Sequence, residues 1–116
     1  MSEQHLQLSD RALELVAHRF KLLSEPTRLR LLQQLLPGEM SVNALVTAVH
    51  STQANVSKHL GLLAEEGLVA RRKVGVTIYY RVADPALFRI CDLVCQSLQA
   101  QGVAYMQRLH GEEESA

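Results

Sequence analysis

The chain is expected to fold as a mainly α-helical domain that carries a single β-hairpin. Three observations predict this. Apolar residues recur at helical spacing through residues 10–66, alternate between Gly67 and Val82, and return to helical spacing after Asp84-Pro85. With 116 residues there is room for one compact domain. Hydrophobic residues make up 47% of the chain, enough to bury a core. Aromatics are only 4% and Trp is absent, so that core must be built from Leu, Val and Ala.

The first helix places Ala12, Leu13, Leu15, Val16, Phe20 and Leu23 on one broad face, with Ser9 or Asp10 as its cap. Ser24 is the expected cap of the second helix, and Pro26 sits in its first turn, where a missing N–H costs nothing. That helix carries Leu29, Leu31, Leu32, Leu35 and Leu36 and ends at Pro37-Gly38. Ser41 caps a short third helix with Val42, Leu45, Val46 and Val49 as its apolar side. After the break at His50-Ser51-Thr52, a fourth helix turns Ala54, Val56, Leu60, Leu63 and Ala64 inward and stops at Gly67. Two short helices around a three-residue break form the helix-turn-helix pattern.

Residues 68–73 and 77–82 then read as the two strands of a hairpin, with Gly75 near its turn. Asp84 as cap and Pro85 as first residue open the last helix. Its Leu87, Cys91, Val94 and Leu98 form a narrow seam of the kind paired helices share. The expected order is therefore four helices, two strands and a fifth helix: a winged helix-turn-helix with the hairpin as wing. Residues 1–9 read as an N-terminal arm, 10–110 as the DNA-binding and dimerisation domain, and 111–116 as a disordered acidic tail.

Net charge is zero, but it is unevenly spread. Residues 51–82 hold five basic against two acidic side chains, and residues 83–116 hold two against five. A basic middle and an acidic end suit a domain whose middle faces DNA. No stretch approaches the ~20 apolar residues of a membrane span. The polar N-terminus lacks the order of a signal peptide, so a cytoplasmic protein is expected, its two cysteines reduced. A Gly-rich phosphate loop, a His-Glu-x-x-His motif and a Ser-His-Asp grouping are all missing, which argues against an enzyme.

Within the helix-turn-helix, the segment from Ser51 to Leu63 is the expected recognition helix. Thr52, Gln53, Asn55 and Ser57 are the polar side chains of its first turns, and the amides of Gln53 and Asn55 have the donor–acceptor pair that reads adenine. Lys58 and His59 lie farther along and are expected at phosphates. In the wing, Arg72 and Thr77 are the chosen contacts, from a basic run that also holds Arg71 and Lys73. Capping would also account for Ser51 or Thr52, and charges on an edge strand also blunt aggregation.

Three pieces of this pattern resemble the ArsR/SmtB family of bacterial winged-helix repressors. They are Leu23-Ser24-Glu25-Pro26-Thr27-Arg28-Leu29-Arg30-Leu31-Leu32, then Asn55-Val56-Ser57-Lys58-His59-Leu60 with Leu63 and Gly67-Leu68-Val69, and finally the wing from Gly75 through Tyr80-Arg81-Val82. The resemblance covers roughly residues 10 to 100. It implies a homodimer that pairs first and last helices, repression at double-stranded operator DNA and release by an inducer. Leu13, Leu87, Cys91, Val94 and Leu98 are the expected dimer contacts.

The sequence departs from the family at its metal sites. Where many members carry a Glu-Leu-Cys-Val-Cys-Asp-Leu box, this chain has Glu39-Met40-Ser41-Val42-Asn43-Ala44-Leu45. Where others bind zinc at the last helix, Asp84 matches, but the remaining ligands fall on Ala86, Ser97 and Ala100. What remains is Cys91 and Cys95, one helical turn apart, a spacing that can hold a thiophilic metal or metalloid ion, or thiols that can answer a redox signal through a disulfide across the two-fold. Free cysteine is also a common core residue, and both readings stand on the sequence. A non-metal inducer, or a winged helix turned to protein interaction, are the alternatives. His5 and His110 read as surface residues, His18 as a polar group of the first helix and His50 as part of the turn.

Overall fold

The computed structural model describes residues 7–102 and 107–108. In chain order it runs α1 (Asp10–Leu22), α2 (Pro26–Leu35), β1 (Met40–Ser41), α3 (Val42–Val49), α4 (Gln53–Glu65), β2 (Val69–Val74), β3 (Thr77–Val82) and α5 (Ala86–Gln101). The fold class is the expected one. The element order gains β1, which is too short to leave an alternation in the sequence. It pairs antiparallel with β3, Met40 opposite Tyr80 and Ser41 opposite Tyr79, giving a three-stranded sheet ordered β1-β3-β2.

Capping side chains fix most helix starts. Ser9, Ser41 and Thr52 each accept a hydrogen bond from the N–H three residues on, at 3.1 Å. At α2 the cap is Glu25 rather than Ser24: its Oε1 accepts from the Arg28 N–H at 3.1 Å. The hydroxyl of Ser24 instead donates back to the Lys21 carbonyl, closing the preceding turn. The helix ends follow the same economy. His50, at φ 55°, closes α3, and the Ser51 N–H reaches the Val46 carbonyl. Gly67, at φ 77°, ends α4 in the same way, with Leu68 N–H on the Leu63 carbonyl. Gly75 supplies φ 62° at the hairpin turn.

Two compact units make up the chain, Met1–Ala83 and Asp84–Ala116. In the first, α2, α3 and α4 pack together, and α4 lies on β2 while α2 and α3 lie on β3. Leu31, Leu35, Leu45, Val56, Leu60, Leu63 and Leu68 are wholly buried there. Burying a leucine stabilises by about 1.5–3 kcal/mol relative to leaving it in water, so these seven set the mutual position of the three helices. Ala54 departs from expectation: it is exposed, and α4 points Val56, His59, Leu60 and Leu63 inward instead. α1 contributes only Leu22, together with the following Leu23, to the core. Its Leu13 and Phe20 are 51% and 54% exposed.

In the second unit the carboxylate of Asp84 accepts from the Ala86 N–H at 3.0 Å, so α5 begins one residue later than expected, with Pro85 at the cap position. Leu87 is 1% exposed, which corrects its assignment to a dimer seam: it has no surface left to offer a partner. Cys91 and Leu98 are half-buried, while Val94 is exposed. The expected arm falls largely, and the expected acidic tail wholly, outside the described residues, as do His5 and His110.

Candidate nucleic-acid interface

The helix-turn-helix and the hairpin bound a shallow, open cleft. Asn43 of α3 and Gln53 and Ser57 of α4 line it with Val76, Thr77 and Ile78 of the hairpin. Gln53 and Ser57 lie one turn apart and so share a face of α4, and both are exposed, as is Lys58 beside them. Thr77, half-buried, stands opposite Val74 where the hairpin turns. The structure thus brings Gln53, Ser57 and Thr77 to one surface. The sequence reading missed Asn43 and Val76. The signal for Asn43 was present, because the first helix of a helix-turn-helix crosses the nucleic-acid backbone.

The other expected contacts are placed differently. Thr52 caps α4, and the Asn55 side-chain N–H donates to the Ser51 hydroxyl at 2.9 Å, so the Asn55 amide is partly committed within the turn. Arg72 is committed too. Its Nε and Nη2 donate to the two carboxylate oxygens of Glu39 at 3.0 and 2.6 Å, and its guanidinium lies 5.1 Å from the centre of the Tyr79 ring. The Arg72 guanidinium holds the Glu39 carboxyl below the usual carboxylate range, and Glu39 in turn pushes Arg72 upward. Arg71 and Lys73 alternate to the opposite face of β2 and are exposed.

His59 corrects the sequence reading most clearly. It is 7% exposed, facing the interior rather than a phosphate, and its Nδ1 accepts from the Arg28 Nε at 3.1 Å. Burial is the chief cause that pushes its pKa below the ordinary histidine value. Glu25 nearby, also partly buried, is nonetheless held below the usual carboxylate range by the Arg28 and Thr27 N–H groups.

No group of three or more His, Cys, Asp or Glu gathers as a metal site among the described residues. Cys91 is half-buried and Cys95 exposed, both as free thiols. Burial first, then the neighbouring Cys95 and Asp92, push the Cys91 thiol up. None of the described helices is long and apolar enough to cross a membrane.

A helix-turn-helix whose second helix faces a β-hairpin across an open polar cleft defines a winged helix-turn-helix DNA-binding domain. The chain belongs to the arsR family of bacterial regulatory proteins, whose sequence model matches residues 25–71. It is 38% identical over 103 residues to a probable mercury resistance operon repressor of Streptomyces lividans, covering 84% of this chain and 80% of that one. Its fold is similar to that of the AntR antimony-specific transcriptional repressor, with a TM-score of 0.72, 32% identity and coverage of 82% and 87%. It is also similar, at a TM-score of 0.66 and 32% identity, to a homodimeric winged helix-turn-helix DNA-binding domain from Mycobacterium bovis, covering 88% of this chain and 94% of that one. The family and these relatives are transcriptional regulators rather than enzymes.

Proposed function

We propose that this protein represses transcription in the cytoplasm by binding double-stranded operator DNA as a homodimer, and that an inducer releases it. The cleft between α4 and the hairpin carries this reading. Its walls rest on a leucine-filled core, and the exposed Gln53 and Ser57 of α4 with Thr77 of the hairpin suit a helix laid in a major groove. The two-fold partnership is supported by apolar side chains left in water: Leu13, Val16 and Phe20 on α1, and Leu93 and Val94 on α5. A similar domain from Mycobacterium bovis is itself homodimeric.

The relatives named for mercury and antimony support a thiophilic ion as inducer. Cys91 and Cys95 are the thiols this chain offers it. Two sulfurs fall short of a trigonal or tetrahedral set, so an ion that takes three or four ligands would draw on both protomers. The half-burial of Cys91, which pushes its thiol up, favours the other reading, in which that residue packs and the inducer is not a metal.

Sedimentation of the full chain, alone and with a labelled duplex from the promoter of its own gene, tests the assembly. A dimer in solution and two chains per duplex are expected; a monomer that binds one chain per duplex overturns the homodimer. Cys91→Ser/Cys95→Ser tests the inducer. Loss of release by antimonite or mercuric ion with operator binding intact is expected, and normal release excludes the thiol site.

A further inference from the structure

We propose that His59 is a positioning residue for DNA binding: its neutral imidazole, held by Arg28, seats the recognition helix, and protonating it unseats that helix and weakens operator binding. The inference rests on the reading that α4 carries the DNA contacts.

Arg28 joins three elements through one side chain and its own backbone. Its Nη1 donates to the Leu22 carbonyl at the end of α1 at 3.0 Å, and its Nε donates to His59 Nδ1 in the middle of α4 at 3.1 Å. Its backbone N–H donates to the Glu25 cap at the start of α2. Arginine is always protonated, so Nδ1 must be the bare nitrogen of His59 and Nε2 must carry the proton. A second proton on Nδ1 would set N–H against N–H and two cations 3.1 Å apart in an interior where His59 is 7% exposed.

The charges that bear on His59 are Glu25 and Arg28 from α2 and Lys58 from its own helix. Among the described residues α3 carries no ionisable side chain, and the arginines of β2 do not enter. Burial depresses its protonation most, Glu25 opposes this, and Arg28 and Lys58 add to it. His59 is flanked in the core by Val56, Leu60 and Leu63, all fully buried on the same helix. A displacement there moves α4 as a body and carries Gln53 and Ser57 with it.

The sign makes the proposal distinctive. Acidification adds positive charge to a protein, which by electrostatics alone tightens binding to a polyanion. Protonation of His59 acts against that trend.

Fluorescence anisotropy with the full chain and a promoter duplex, at constant ionic strength, reads the linkage between pH 7.5 and 5.5. We expect Kd to weaken by at least about threefold on acidification, within the tenfold per pH unit that one linked proton permits. His59→Asn puts a non-titrating Oδ1 in place of Nδ1; whatever its affinity at pH 7.5, that affinity is expected not to weaken on acidification. In the free protein, NMR is expected to show the His59 imidazole and the α4 backbone amides shifting with one midpoint. Wild-type binding that tightens or stays flat on acidification, or a His59→Asn profile like wild type, overturns the proposal. Failure to bind the duplex at every pH overturns the DNA-contact reading instead. The NMR titration then decides the coupling by itself, and an imidazole that titrates without moving α4 overturns it.

Discussion

Arg72 and Glu39, 33 residues apart, meet through two parallel hydrogen bonds of 3.0 and 2.6 Å, with the Tyr79 ring beneath the guanidinium. Two parallel bonds fix the guanidinium in plane, and the ring fixes it in depth. The contact ties the residue before β1 to β2 on one face of the sheet and so orients the hairpin against α3.

Arg72→Met is therefore expected to change the hairpin rather than remove a phosphate contact. An exposed pair of this kind is screened by solvent and contributes little, so urea midpoints should fall only slightly. The slope of log Kd against log salt should stay at its wild-type value, whereas Arg71→Ala or Lys73→Ala should reduce it by about 1 each. A reduced slope for Arg72→Met would place its guanidinium on DNA.

Gln53 and Ser57 share the face of α4 that lines the cleft. Gln53→Ala is expected to weaken operator binding by about 1–3 kcal/mol while leaving affinity for unrelated duplex unchanged. Competition anisotropy with both duplexes checks this. Equal losses on both would demote Gln53 from base reading to general backbone contact.

Gly67 ends α4 at φ 77° and has open space where a Cβ would stand, so a substitution there meets backbone strain and no steric clash. Gly67→Ala should cost about 1–2 kcal/mol in urea unfolding, the cost of a left-handed residue with a Cβ. A neutral result would mean that the turn relaxes out of the left-handed region.

His59 also sets a pH dependence of stability. Its folded pKa is lowered by burial, so its contribution is complete above the unfolded histidine value of about 6.5 and is lost as pH falls through the folded value. Unfolding free energy should decline between pH 7 and 5, and His59→Asn should decline less. A steeper decline in the variant would assign the acid sensitivity to other groups.

Local structure was legible because each helix announces itself through a cap, a Pro or a terminal Gly beside a 3.6-residue apolar rhythm. Ser9, Ser41, Gly67 and Gly75 all act locally, and all were readable. β1 was not, because two residues cannot alternate, and nor was the Glu39–Arg72 pair, which depends on strand order rather than on neighbours in sequence. His59 was misplaced because Lys58 and Ser57 beside it are polar. Its position at i+3 from Val56, next to Leu60, already placed it on the buried stripe. Leu87 was misassigned for a related reason: a seam of apolar residues on one helix does not say whether the chain or its partner covers each of them.

The central claim is that α4 and the hairpin together bind DNA, the basic side chains of the hairpin gripping phosphates despite a net charge of zero. Operator affinity measured from about 50 to 200 mM salt tests it most directly, since each phosphate neutralised contributes close to one unit of slope. The account predicts a steep linear fall in log Kobs, made shallower by removing Arg71 or Lys73. Weak binding indifferent to salt would contradict it.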